Sequence, residues 1–210
     1  MILHGYWRSG AAYRTRIGLA LKGLAWEARG VDLRTGAQRS DAFLALNPQG
    51  MVPALEADGM VLTQSPAILE WLEERHPEPP LLPATPADRA VVRAMAALIA
   101  CDIHPLNNLR VGKALRESFG ADQAAVDAWA ARWIVAGFTA LEAQVERHGA
   151  GWCFGSTPGL ADCYLVPQIY SARRFHVPLD AFPRLLAIEA AAAAHPAFLA
   201  AHPDRQPDAD

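Results

Sequence analysis

The chain has 210 residues, of which 52% are hydrophobic and 20% charged, with a formal net charge of −3. That composition excludes a disordered segment and offers no electrostatic basis for binding nucleic acid or an acidic membrane surface. The three cysteines, Cys101, Cys153 and Cys163, have no CxxC or Cys/His metal spacing, so reduced thiols, a cytoplasmic setting and no bound metal are expected.

The opening Met1-Ile2-Leu3-His4-Gly5 shows no basic region followed by an apolar run, and no apolar stretch is expected to reach transmembrane length. Ile2 to Trp7 reads as a short strand. Arg14 to Leu24 has helical spacing through Ile17, Leu19, Ala20, Leu21 and Leu24. Trp26 to Leu33 suits a second strand, and Ser40 to Leu46 a short helix capped by Ser40 or Asp41. Val52 to Glu56 and Met60 to Thr63 flank Asp58-Gly59, a hairpin signal. Ser65-Pro66 then starts a helix to about Arg75, with Ser65 expected at the N-cap and Pro66 at N1. The order is β-α-β-α-β-β-α.

A Pro-rich connector, 77–86, cannot continue a helix and marks a domain boundary. The expected domains are therefore 1–79, α/β, and 87–210, all-helical, with helices at about 87–116, 122–148, 160–174 and 182–200. The first of these helices contains Cys101-Asp102-Ile103-His104-Pro105-Leu106-Asn107-Asn108-Leu109-Arg110. Pro lacks the N–H that a helix interior needs, at a cost of roughly 3 kcal/mol, and Asn side chains compete for the backbone's hydrogen bonds. A break this heavy, crowded by His, Asn and Arg, points to a ligand site.

Three loops in the first domain point the same way. Trp7-Arg8-Ser9-Gly10 joins the first strand to the first helix, where helix N–H groups and positive potential favour an anion. Asn47-Pro48-Gln49-Gly50-Met51-Val52-Pro53 enters the third strand, and a cis Val52–Pro53 bond would turn the Val52 backbone toward an extended ligand. Gln64-Ser65 supplies an amide, a hydroxyl and helix N-terminal amides.

The element order, Val52-Pro53, Gln64-Ser65 and the helical second half resemble the glutathione transferase superfamily. Trp7-Arg8-Ser9, Asn47-Pro48, the 102–108 segment and Leu165-Val166-Pro167-Gln168 resemble its zeta class, which includes maleylacetoacetate isomerases. Arg8-Ser9-Gly10, 101–108 and Ser171-Ala172-Arg173-Arg174-Phe175 look most like the bacterial glutathione-dependent maleylpyruvate isomerases. The implied fold is a thioredoxin-like domain followed by an all-α domain, and the implied state a homodimer. The implied reaction is glutathione-dependent conversion of maleylpyruvate to fumarylpyruvate in aromatic catabolism.

The chemistry is coherent on its own terms. Rotation about a conjugated C=C becomes easy once a nucleophile has added, and a thiolate both adds and leaves well. None of the three cysteines lies at the strand-to-helix turn, so the thiol must come from a cofactor. The resemblance puts Ser9 near the glutathione sulfur and assigns Gln49, Val52, Gln64, Ser65, His104 and Asn108 to the tripeptide. His104 and Asn108 are expected on one helical face, a turn apart. Arg8, Arg110 and Arg174 are the cations for a small dicarboxylate substrate, one of them stabilising the enolate that forms on addition. Two departures stand out: Ser9-Gly10-Ala11-Ala12 replaces the usual Ser-Ser-Cys-Ser, and Gly159 takes a Ser/Thr position three residues before Asp162. Maleylacetoacetate isomerisation and thiol transfer to small α-halo acids are the alternative activities.

Overall fold

A computed structural model describes residues 1–209. Four strands, β1 (Ile2–Gly5), β2 (Glu27–Gly30), β3 (Ala54–Ala57) and β4 (Met60–Thr63), form one mixed sheet in the order β2-β1-β3-β4. β1 pairs parallel with β2, while β3 is antiparallel to both β1 and β4. Helices α1 (Gly10–Leu21), α2 (Asp41–Leu46) and α3 (Ser65–Arg75) complete the expected β-α-β-α-β-β-α order. The β3–β4 hairpin turns at Asp58 and Gly59, both at positive φ (49° and 75°), the backbone that a two-residue Asp-Gly turn requires.

Ile17, Leu19, Leu55, Ile68, Leu69 and Leu72 are fully buried, each contributing about 1.5–3 kcal/mol by leaving water. Gly18 lets α1 and α3 close up, since a Cβ there would lie 2.2 Å from Leu69 Cδ2. Lys22 at the end of α1 is buried with Glu73 of α3, Nζ to Oε2 at 2.6 Å. Lys22 Nζ also donates to Pro79 O and Leu81 N donates to Glu73 Oε2, so the ion pair anchors the Pro-rich connector as well.

Two compact units emerge, Met1–Leu81 joined by the described residues from Ala192, and Leu82–Ala191. The expected helical domain of 87–210 is therefore too long at its end. The helix expected over 182–200 divides at His195, because Pro196 cannot continue α8 (Pro183–Ala194) and instead opens α9 (Pro196–Ala201). α9 packs on α1, which brings the segment after it into the first unit.

The expected helix at 87–116 is also divided. α4 (Pro86–Ala97) runs into a π-helical stretch, 98–103, then a 3₁₀ turn, 104–107, before α5 (Leu109–Phe119). Contrary to the expectation from hydropathy, this helical run, 86–119, is long and apolar enough to cross a membrane by length and composition. Its apolar residues Val92, Met95, Ile99 and Ile103 are buried, and α4 packs against α7 (Leu160–Arg174) within the same unit. α6 (Gln123–His148) packs on the π-helical stretch, where Gly137 admits Ile103.

Asp162 holds the start of α7, accepting from Gly159 N at 2.8 Å and Cys153 N at 2.9 Å. Gly159 supplies no side chain in return, so only the acidic half of a capping box is present. Burial raises the Asp162 carboxyl to about 6 against the lowering effect of those N–H groups.

Candidate active site

The topology itself gathers three loops. β1 and β4 each run antiparallel to β3, so the ends of β1 and β4 and the start of β3 share one edge of the sheet. The register places His4 opposite Ala54 and Ala54 opposite Thr63. Just beyond lie Tyr6 to Ser9, Val52-Pro53 and Gln64-Ser65. α1 and α3 both begin there, presenting unpaired N–H groups and positive potential.

Ser9 caps α1, and its Oγ accepts from Ala12 N at 3.3 Å. Ser9 N donates to Tyr6 O, closing a tight turn over Trp7 and Arg8. Arg8 is exposed, its guanidinium 5.1 Å from the Trp7 ring centroid. The Val52–Pro53 peptide is cis.

The expected cap shifts by one residue, from Ser65 to Gln64, and Pro66 moves from the first to the second helical position. Gln64 is the cap residue, at φ 67°, and Ser65 is the first residue of α3. A non-glycine residue in that region costs on the order of 1–3 kcal/mol. Gln64 Nε2 donates to Gln49 Oε1 at 2.6 Å, bringing two of the expected ligand residues together. Asn47 braces that loop, donating to Met51 O and accepting from Gln49 N. Ser65 is buried and its Oγ accepts from Arg14 Nη1 at 3.0 Å. In the sequence Arg14 stands only as the start of the expected helix, and nothing local marks it for burial, since α1 carries Thr15 and a second buried arginine, Arg16, beside it.

In the helical unit the expectation for His104 and Asn108 needs correcting. They do not share a helical face. His104 opens the 3₁₀ turn, whereas Asn108 is extended and caps α5, its Oδ1 accepting from Arg110 N at 3.1 Å. Pro105 lacks the N–H that would carry the helix onward, and Trp129 of α6 pins the break by donating to Leu106 O at 2.8 Å. Arg110 is exposed in the first turn of α5, and Arg174 is exposed as the last residue of α7. Its neighbour Arg173 makes a two-point ion pair with Glu189.

Cys101 is exposed while Cys153 and Cys163 are buried, all three as free thiols. Burial beside Asp162 pushes the Cys153 thiol well above its ordinary value, which suppresses its nucleophilic form. Among the described residues no group of three His, Cys, Asp or Glu side chains is placed to hold a metal ion.

Residues 8–75 match the family model for the glutathione S-transferase N-terminal domain, and residues 123–200 the model for its C-terminal domain. A maleylacetoacetate isomerase from Pseudomonas aeruginosa is 53% identical over 99% of this chain and 98% of its own length. The holo structure of a maleylpyruvate isomerase, described as a bacterial zeta-class glutathione S-transferase, superposes with a TM-score of 0.98 at 52% identity, covering both chains fully. A maleylacetoacetate isomerase from Anaeromyxobacter dehalogenans 2CP-1, solved with glutathione in its active site, gives 0.90 at 49% identity, covering 100% of this chain and 97% of that one.

Proposed function

We propose that this chain, which belongs to the zeta class of the glutathione S-transferase family, is a glutathione-dependent cis–trans isomerase of maleylpyruvate, with maleylacetoacetate as the nearest alternative substrate. The observation that carries the reading is the full-length match at 52% identity and TM-score 0.98 to a maleylpyruvate isomerase.

The donor set at the sheet edge suits glutathione, whose carboxylates lie at both ends of the tripeptide. The N-termini of α1 and α3, the Gln49–Gln64 amide pair and the Ser65 hydroxyl supply N–H and O–H donors for a carboxylate. We assign Ser9, Gln49, Val52, Gln64, Ser65, His104 and Asn108 to holding it. When bound, it supplies a thiolate that adds reversibly to the conjugated double bond and leaves after rotation.

The chain's own residues set the conditions for that chemistry. Ser9 Oγ accepts from Ala12 N, which leaves its own proton available to donate to sulfur, and the α1 N-terminus favours the thiolate beside it. Arg8, Arg110 and Arg174 bind the substrate carboxylates, and a guanidinium near the carbonyl holds the oxygen on which negative charge develops. The free thiols of Cys101, Cys153 and Cys163 suit a reducing, cytoplasmic compartment. We expect a homodimer, as the resemblance implies.

The discriminating experiment compares kcat/KM for maleylpyruvate, maleylacetoacetate and a small α-halo acid, each with glutathione. Preference for maleylpyruvate supports the reading. Preference for maleylacetoacetate moves the assignment to that substrate, and preference for the halo acid replaces isomerisation by transfer.

A further inference from the structure

The turn that presents Arg8 and Ser9 is held from outside the sheet. Trp7 N donates to Asp208 Oδ2 at 3.0 Å, across 201 residues of sequence. Trp7 O accepts from Arg16 Nη2 at 2.9 Å, and the Nε of the same buried guanidinium donates to Ala201 O of α9. Both peptides flanking Trp7 are therefore fixed by groups that are themselves anchored to α9 or the segment after it. That segment is in turn tied down by Gln206, whose Nε2 donates to Ala200 O and His202 O. Gly30, at the end of β2, leaves room for the carboxylate: a Cβ there would lie 3.1 Å from Asp208 Cβ.

We propose that Asp208 is a positioning residue for the reaction, fixing through the Trp7 N–H the turn from which Arg8 and Ser9 reach substrate and sulfur. What those two residues do rests on the isomerase reading; the Trp7–Asp208 contact itself does not. A carboxylate accepting a backbone N–H is among the stronger hydrogen bonds, and without it the N–H at the centre of the turn must find water or move. The Tyr6–Ser9 bond alone would then hold the turn on that side. Displacement of a fraction of an ångström at a reacting group is costly, because catalysis depends on pre-set geometry.

The test uses the full-length enzyme with Asp208→Ala and Asp208→Asn, the amide oxygen of Asn remaining able to accept the same N–H. Three quantities are read: the pH titration of the bound glutathione thiolate by its ultraviolet absorbance, kcat/KM for maleylpyruvate, and the thermal midpoint. Asp208→Ala is expected to lower kcat/KM about tenfold and to raise the bound thiol's apparent pKa by about half a unit. Asp208→Asn is expected to recover most of both. An unchanged thiolate titration and kcat/KM in Asp208→Ala would overturn the proposal. So would equal losses in both variants that follow the thermal midpoint alone, which is the mark of a folding role. The thiolate titration needs no isomerase substrate, so it decides the role of Asp208 even if maleylpyruvate proves not to be turned over.

Discussion

At Ser9 one oxygen serves two tasks. Accepting the Ala12 N–H stabilises α1, and in the proposed reaction donating its proton stabilises sulfur. Ser9→Ala removes both: unfolding free energy should fall by about 0.5–2 kcal/mol, and kcat/KM by about 10–100-fold, with the bound thiol's pKa raised. Denaturant unfolding and the thiolate titration separate the two losses. Gly10→Ser, which puts a hydroxyl where the class pattern commonly has one, should change turnover less than threefold if Ser9 carries the sulfur contact. A large gain would mean that Ser9 does not. Ser9 and Gln64 were legible as strand-to-helix residues beside helix N-termini. The φ of 67° at Gln64 and the Arg14–Ser65 bond were not, since each is imposed by packing between segments distant in sequence.

Among the elements, α1 and α3 are joined by a buried ion pair whose worth depends on keeping both partners. Lys22→Met leaves Glu73 charged and buried, and should cost about 3–5 kcal/mol in denaturant unfolding. The double variant Lys22→Met, Glu73→Leu should recover most of that loss, because no charge then stays stranded. Failure of the double variant to recover would show that the bonds from Pro79 and Leu81 to this pair matter more than the charges. At the start of α7 the buried Asp162 carboxyl, raised to about 6, takes up its proton more readily folded than unfolded. Its contribution is therefore fully present below about pH 4 and is lost as pH rises toward and through 6, by on the order of 3 kcal/mol. Asp162→Ala should flatten that part of the stability–pH curve and lower it throughout, because the Gly159 and Cys153 N–H groups lose their acceptor. A wild-type curve that rises between pH 4 and 6 relative to the variant would contradict this. Short-range chemistry made the Asp58-Gly59 hairpin and the Ser40 cap of α2 readable. The division at Pro196 used the same chemistry and was open to the same reading. At 101–110 the break was plain from Pro105, but not its outcome, because Trp129 of α6 decides where the chain turns.

For the whole molecule, an α/β half followed by helices was visible in periodicity and in the Pro-rich connector, and its thioredoxin-like character in the family resemblance. The return of the segment from Ala192 to the first unit was not. It depends on α9 packing against α1 and on the bonds from Arg16 to Ala201 and from Trp7 to Asp208, contacts across about 185–200 residues that no local pattern encodes. The homodimer expected from the family should sediment at twice the chain's 22.7 kDa. A single-chain mass would remove it. The chemistry has a more direct test in the absorbance of maleylpyruvate mixed with the purified protein, with and without glutathione. The account predicts rapid conversion to fumarylpyruvate only when glutathione is present, at a rate that falls in Ser9→Ala. Conversion without glutathione, or none with glutathione bound, would contradict it.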